Sequence, residues 1–142
     1  MPVSEPQEAP SMAELVDVLQ RAVGLVRAHF AAATARVGVT PAQAKALGRL
    51  ATPMTPKDLS RQLGADLSNT ASMVDRLEAL GLVRKEIHPA DRRARLLTLT
   101  ERGEELRRTL DREVFDNVPA LAVLDEPERR QLYGLLRRVT SG

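Results

Sequence analysis

Two clusters of polar and basic side chains are the parts of this sequence that could do chemistry. The first lies at the start of a short amphipathic segment and contains Ser68, Asn69, Ser72 and Arg76. The second lies within residues 84–95, where five basic residues stand against two acidic ones, a local charge of +3. Amide, hydroxyl and guanidinium groups in such clusters bind base edges and phosphates of double-stranded DNA. Both clusters therefore indicate DNA recognition.

A helix-turn-helix pattern surrounds the first cluster. Thr55 and Pro56 predict a helix start, because threonine caps free N–H groups and proline needs no N–H at the first helical position. Gly64 supplies a left-handed stop, and Asp66 can cap the next helix. In that helix, the positions that follow the helical period are Thr70, Met73, Val74, Leu77 and Leu80, and the first four are predicted to face the core. The first cluster then lies on its outward face, near the end that can enter a major groove.

The second cluster predicts a basic hairpin. Residues 82–88 and 95–99 predict two short strands after Gly81, joined by a turn at 89–93. Arg92 at the tip can reach a minor groove, where a narrow A·T tract concentrates negative potential. Asp91 would repel phosphate, so we interpret it as a residue that holds Arg93 in position. A plain solvated turn that Asp91 initiates is the alternative, but the adjacent helix-turn-helix favours DNA contact.

The remaining sequence predicts helices on either side of this winged helix-turn-helix. Residues 1–10 carry three prolines and no periodicity, and they predict a disordered tail. A capping box at Ser11 and Glu14 begins a long helix that ends at Gly38. Further helices are predicted from Thr40 to about Leu50 and from 101 to about 117, after which Pro119 interrupts. A last helix is predicted after a second capping box at 125–128. The predicted fold is mainly α with a small β-hairpin wing (α+β).

We expect one domain over residues 11–142. The winged lobe occupies 40–100, and the helices of 11–38 and 101–142 form a dimerisation region. The long first helix has an apolar stripe too wide for one small domain to cover, and a second chain is the expected cover.

Composition excludes several classes of function. The chain has 142 residues, no Cys and only 2% aromatic residues, which excludes disulfides, thiol switches and aromatic stacking platforms for single strands. His29 and His88 are not at a metal-ligand spacing, and no catalytic constellation or phosphate loop is present. We therefore expect no enzyme, no cofactor and no metal. The absence of a signal-like or membrane-spanning segment predicts a cytoplasmic protein.

Several motifs resemble the MarR family of bacterial transcriptional regulators. The similar segments of the helix-turn-helix are Leu59-Ser60-Arg61-Gln62-Leu63-Gly64, Ser68-Asn69-Thr70-Ala71-Ser72-Met73-Val74-Asp75-Arg76-Leu77-Glu78 and Gly81-Leu82-Val83. The most specific segment is His88-Pro89-Ala90-Asp91-Arg92-Arg93 with Leu97-Thr98-Leu99-Thr100 and Gly103, which is similar to the family's wing signature. In element order the resemblance covers about residues 12–140. Many members carry a basic residue where this chain has Ser72, which puts its base preference in doubt.

The resemblance implies a homodimer, joined by its terminal helices, that binds a pseudo-palindromic operator and is released by a small amphipathic or aromatic effector. It also implies an effector pocket between the dimerisation helices and the winged lobe. Candidate residues for that pocket are Val26, His29, Phe30 and Leu47, although core packing is the favoured role of the three apolar ones.

The sequence thus predicts a homodimeric, sequence-specific DNA-binding regulator of the MarR type, acting as a repressor. Its DNA-binding residues are predicted to be Ser68, Asn69, Ser72, Arg76, Asp91, Arg92 and Arg93. Two alternatives stay open. An architectural DNA-binding protein with little sequence preference is less favoured, because the net charge is only +2. A winged module that binds protein would show no salt-dependent affinity for DNA.

Overall fold

Within residues 8–142, the computed structural model contains seven α-helices, one π-helical turn and one two-stranded antiparallel sheet. The helices are α1 (Met12–Val37), α2 (Pro41–Arg49), α3 (Pro56–Leu63), α4 (Leu67–Ala79), α5 (Glu101–Leu110), α6 (Pro119–Ala122) and α7 (Glu126–Thr140), and the strands are β1 (Val83–Ile87) and β2 (Arg95–Leu99). The predicted mainly helical fold with a small hairpin is confirmed. Most of the predicted tail, residues 1–7, lies outside the described residues.

The segment Phe30–Asn117 forms one compact unit with its own core. Leu47, Leu59, Leu77 and Leu97 are fully buried there, and they come from α2, α3, α4 and β2. Burial of each such side chain contributes about 1.5–3 kcal/mol of transfer free energy. The core therefore fixes α3 and α4 against each other and against the base of the hairpin.

The predicted helix caps of this unit are present. The Thr55 hydroxyl accepts the Asp58 N–H at 3.2 Å, and Asp66 accepts the Asn69 N–H at 2.8 Å. Gly64 has a φ of 63°, so the turn between α3 and α4 uses the left-handed region that favours glycine. The local signals in the sequence were sufficient to set both ends of the turn.

The hairpin gains a short third partner that the sequence did not predict. β1 and β2 pair with Val83 opposite Leu99 and Ile87 opposite Arg95. Met54, which lies between the predicted helix that ends at about Leu50 and the one that begins at Thr55, forms an isolated bridge with Leu97. The Leu97 N–H donates to the Met54 carbonyl at 2.8 Å. A single bridging residue has no two-residue periodicity of its own, so no pattern could reveal it.

The segment predicted as one helix from 101 to about 117 is helical through Phe115, but it is not one regular α-helix. α5 ends at Leu110, and a π-helical turn follows over Asp111–Phe115. The Asp116 N–H donates to the Asp111 carbonyl at 2.9 Å, a five-residue step that inserts one extra residue into the turn. Val114, within this turn, is buried. Pro119, predicted to interrupt a helix, occupies the first turn of α6.

A second compact unit, in its described part, consists of residues 8–29 and Val118–Gly142. Both predicted capping boxes are present: Ser11 with Glu14, and Asp125 with Glu128. No described residue of this unit is buried. Large apolar side chains are exposed on α1 and α7 instead, namely Met12, Leu15, Val16, Val18, Leu19, Val23, Leu25, Tyr133, Leu135, Leu136 and Val139.

Candidate nucleic-acid interface

The helix α4 presents the first predicted cluster on its exposed side. Thr70, Val74 and Leu77 are buried on the other side of the helix, as its periodicity predicts. The Thr70 hydroxyl donates to the Asp66 carbonyl at 3.0 Å and so satisfies its own buried oxygen. The four predicted contact residues, Ser68, Asn69, Ser72 and Arg76, are all exposed. The fold therefore leaves a polar surface at the N-terminal end of α4.

The Asp66 carboxylate organises the start of this surface. Its oxygens accept the Asn69 N–H at 2.8 Å, the Ser68 hydroxyl at 2.9 Å and the Asn69 side-chain amide at 2.9 Å. The Asn69 N–H first, and then the Ser68 hydroxyl, lower the pKa of Asp66. Sequence reasoning identified Asp66 only as a cap. A carboxylate followed by hydrogen-bond donors two and three residues later is the signal that could have identified the network.

A salt bridge joins α4 to the hairpin. The Lys85 ammonium pairs with Asp75 and lies 3.7 Å from a Glu78 oxygen. The hydrogen bond to Asp75 raises the pKa of Lys85 more than any other contact does. Lys85 contributes to the local charge of +3, but two acids of α4 balance its charge. The positive charge available to a ligand is therefore concentrated in the arginines of the hairpin.

The tip of the hairpin is built by hydrogen bonds from backbone N–H groups to the carboxylate and the carbonyl of Asp91. Asp91 accepts the Arg93 N–H at 3.0 Å, and the Ala94 N–H donates to the Asp91 carbonyl at 3.1 Å. Asp91 thus holds Arg93 through the backbone, and within residues 8–142 it forms no ion pair with the guanidinium. Both Arg92 and Arg93 are exposed. The turn therefore presents two guanidinium groups to solvent.

The predicted effector residues are not all brought to one cavity. A cavity of about 610 Å³ lies in the unit Phe30–Asn117. Phe30 lines it and meets Phe115 edge to face, with ring centroids 5.5 Å apart. Leu47 is fully buried in the core, and Val26 and His29 are half-buried residues of the other unit. The full lining is Phe30, Thr34, Pro41, Ala42, Ala44, Lys45, Gly48, Arg49, Val114 and Phe115.

Sequence reasoning missed Phe115 because it placed that residue on a regular helix. It also missed Lys45 and Arg49, the two cations of a lining that is otherwise apolar except for Thr34. Among residues 8–142, no group of three or more His, Asp or Glu side chains could hold a metal ion. In the same residues, no helix combines the length and apolar character needed to cross a membrane.

The fold and the exposed surface of α4 define a winged helix-turn-helix protein. The sequence profile of the MarR family matches residues 37–94. A probable transcriptional regulator from Pseudomonas aeruginosa has a crystal structure that matches with 32% identity and a TM-score of 0.69, over 88% of this chain and 96% of that one. The chain belongs to the MarR family of transcriptional regulators, and its relatives are regulators rather than enzymes.

Two further relatives illustrate this likeness. The HTH-type transcriptional regulator YfiV of Bacillus subtilis is 34% identical over 74 residues, which cover 52% of this chain and 46% of YfiV. The matched segments span only 46% and 58% of two curated relatives. A mutant of E. coli MarR, crystallised in complex with operator DNA, matches with 28% identity and a TM-score of 0.68, over 88% of this chain and 89% of that one.

Proposed function

We propose that this protein is a homodimeric repressor that binds a pseudo-palindromic operator in double-stranded DNA and is released by a small effector. One observation carries the DNA-binding part. The N-terminal surface of α4 is exposed and polar while its opposite face is held in the core, and the basic hairpin tip belongs to the same unit. A surface of this kind suits direct contact with base edges, with the hairpin arginines on phosphates or in a minor groove.

The exposed apolar surface of α1 and α7 supports a dimer. A unit without a buried side chain has no core of its own, and a large exposed apolar patch marks an interaction surface. A second copy of the chain would cover that patch with an identical one. A dimer would also give two α4 helices, as a pseudo-palindromic operator requires.

The cavity beside Phe30 and Phe115 is our proposed effector site. Its volume lies within the range of small-molecule pockets, and its aromatic pair suits a flat ring. Lys45 and Arg49 at the same cavity favour an anionic group on that ring. We therefore propose an aromatic carboxylate as the effector class.

Thermal unfolding with a panel of aromatic carboxylates tests the effector proposal. A ligand that binds the folded state raises the midpoint of unfolding. We expect the increase to be lost in the double variant Lys45→Gln/Arg49→Gln. Lys57→Gln is the control, because Lys57 does not line this cavity. If no compound in the panel stabilises the protein, a constitutive DNA-binding role replaces the ligand-responsive one.

Selection of bound fragments from genomic DNA tests the DNA-binding proposal. A sequence-specific regulator should enrich a few palindromic sites, with half-sites about one helical turn apart. Diffuse coverage of the genome would support an architectural role, and no salt-dependent binding at all would support a protein-binding module. The proposed function places the protein with the chromosome, so we propose that it acts in the cytoplasm.

A further inference from the structure

We propose that Asp66 is a positioning residue for sequence specificity. Its carboxylate determines which groups on the base-reading surface of α4 can donate a hydrogen bond and which can accept one. The inference rests on the proposed DNA-binding function and adds a residue that the sequence identifies only as a helix cap. It follows from three hydrogen bonds of 2.8–2.9 Å between Asp66 and its neighbours Ser68 and Asn69.

The direction of each hydrogen bond follows from the chemistry of the carboxylate. An ionised carboxylate only accepts, so every partner must donate. One oxygen of Asp66 takes the Asn69 N–H and the Ser68 hydroxyl, and the other takes the Asn69 side-chain NH₂. The Asn69 N–H first, and then the Ser68 hydroxyl, lower the pKa of Asp66 below its ordinary value, so the carboxylate is the form present at neutral pH. The orientation of the Asn69 amide is thereby fixed, with its nitrogen toward Asp66.

The hydrogen bonds to Asp66 determine which hydrogen bonds Ser68 and Asn69 can still form with a base. Ser68 has given its only proton to Asp66, so its hydroxyl can only accept, and the amino groups of adenine N6 and cytosine N4 are its partners. Asn69 keeps one N–H and its carbonyl oxygen, the pair that matches N7 and N6 of adenine. Neither Ser68 nor its bound carboxylate can donate to guanine or to phosphate. Asp66 thus favours bases with a major-groove amino group at these positions.

The negative charge of Asp66 also favours sequence-specific binding over non-specific binding. The N-terminus of a helix attracts phosphate, because its free N–H groups and the helix dipole favour negative charge. Asp66 occupies that place at α4 with its own carboxylate. Docking of the helix end on the sugar–phosphate backbone, a binding mode without sequence information, is therefore disfavoured. We infer that Asp66 lowers the affinity for random DNA and raises discrimination.

The Asp66→Asn variant removes the carboxylate and its charge but keeps the helix cap, because asparagine caps a helix as well as aspartate does. Fluorescence anisotropy would measure its affinity for a duplex enriched from a random library and for the scrambled duplex. We expect tighter binding to the scrambled duplex and a ratio of the two affinities that falls about tenfold. Asp58→Asn is the control, since it removes an equal charge from α3 without contacting Ser68 or Asn69. It should leave the ratio unchanged.

The same substitution in an Asn69→Ala background tests whether Asp66 acts through Asn69. There, Asp66→Asn should change the ratio of affinities far less than in the wild type. An equal change of this ratio in both backgrounds would overturn the inference. Equally tighter binding of Asp66→Asn to both duplexes would also overturn it, because Asp66 would then act only as a repulsive charge. Thermal unfolding identifies a variant that does not fold, and Asp66→Ser, which also caps a helix, then takes its place.

The outcome for the wild type separates this inference from the proposed function. If the wild type enriches no duplex, the proposed function fails and the role of Asp66 fails with it. If the wild type discriminates and Asp66→Asn discriminates equally well, only the role of Asp66 is wrong.

Discussion

At the scale of single residues, the proposed interface separates side chains that fix geometry from side chains that contact DNA. Asp66 and Asp91 each accept a backbone N–H close by in sequence. Arg76 and Arg92 are exposed and have no ion pair within residues 8–142. Substitutions in the two groups should therefore have different effects on affinity and on specificity.

The arginine at the hairpin tip should act on all DNA sequences alike. Arg92→Ala should weaken binding to an enriched duplex and to a scrambled one by similar factors, because phosphates carry no sequence information. The slope of log affinity against log salt should fall by about one for each lost phosphate contact. Anisotropy titrations over a salt series measure both quantities.

Residues of α4 should behave differently from Arg92. Asn69→Ala or Arg76→Ala should cost about 1–3 kcal/mol per base contact on the enriched duplex and much less on the scrambled one. The same titrations apply, with Arg92→Ala as the comparison. Equal losses on both duplexes would show that α4 does not read bases.

Asp91 offers a matched pair of substitutions. Asp91→Ala removes the acceptor of the Arg93 N–H, so the turn should loosen and both duplexes should bind more weakly, despite the loss of a repulsive charge. Asp91→Asn keeps a side-chain oxygen that can accept the same N–H, and it should bind at least as tightly as the wild type. If Asp91→Ala binds both duplexes more tightly than the wild type, the aspartate acts only as a charge.

At the scale of elements, the hairpin is fixed on both sides by close contacts. Lys85 pairs with acids of α4, and Thr100 at the start of α5 bonds backward to the turn between α4 and β1. The Thr100 N–H donates to the Leu82 carbonyl at 3.0 Å, and its hydroxyl donates to the Gly81 carbonyl at 2.6 Å. Such contacts hold the hairpin and α4 in one arrangement.

Gly103 is required by this arrangement. A Cβ atom at position 103 would lie 2.0 Å from the Leu82 carbonyl oxygen, a backbone atom that cannot move away cheaply. Gly103→Ala should therefore destabilise the protein by about 1–3 kcal/mol, as overpacked positions do. Gly48→Ala, at a helical position where a Cβ would meet no atom outside the adjoining backbone of its own helix within 4 Å, should instead stabilise it by about 0.5–1 kcal/mol. Urea unfolding monitored by circular dichroism measures both changes.

The ion pair between Glu104 and Arg107 predicts a pH dependence of stability. The hydrogen bond from Arg107 lowers the pKa of Glu104 below its ordinary 4.5 in the folded state. A depressed carboxyl pKa adds stability above the unfolded pKa, and this is lost as pH falls through the folded pKa. The difference in unfolding midpoint between the wild type and Glu104→Gln should therefore be largest near pH 7 and shrink below pH 4.5. A difference that does not vary with pH would contradict this.

At the scale of the whole molecule, assembly is the property that the terminal helices predict. In the unit that contains α7 and most of α1, no described side chain is buried, although many large apolar ones are present. Hydrophobic surface of this extent is covered in most proteins of this size. The folding stability of this unit should therefore depend on association between chains.

A charge on the apolar side of α7 should prevent that association. Leu136→Asp should produce a monomer that loses binding to a palindromic duplex, because one winged unit contacts only a half-site. Arg137→Asp, on the opposite side of the same helix, is a stringent control that should stay dimeric. Light scattering at micromolar concentration reports the mass. A wild type that is already monomeric there would contradict the proposed dimer.

The sequence by itself determined the features that depend on local interactions. Helix starts at Thr55 and Asp66, the stop at Gly64 and the exposed side of α4 all follow from capping, from backbone freedom and from a 3.6-residue period. Those signals act over a few residues, so they are present in the chain before it folds. The mainly helical fold and the location of the polar cluster were predictable for that reason.

The tertiary structure decided what depends on residues distant in sequence. The bridge between Met54 and Leu97, the pairing of Lys85 with Asp75 and the ring contact of Phe30 with Phe115 join positions that share no local pattern. The π-helical turn belongs with them, since no local pattern in residues 101–117 marks the extra residue that it inserts. Packing energy from many neighbours outweighs local propensity at such places, and only the folded chain brings those neighbours together.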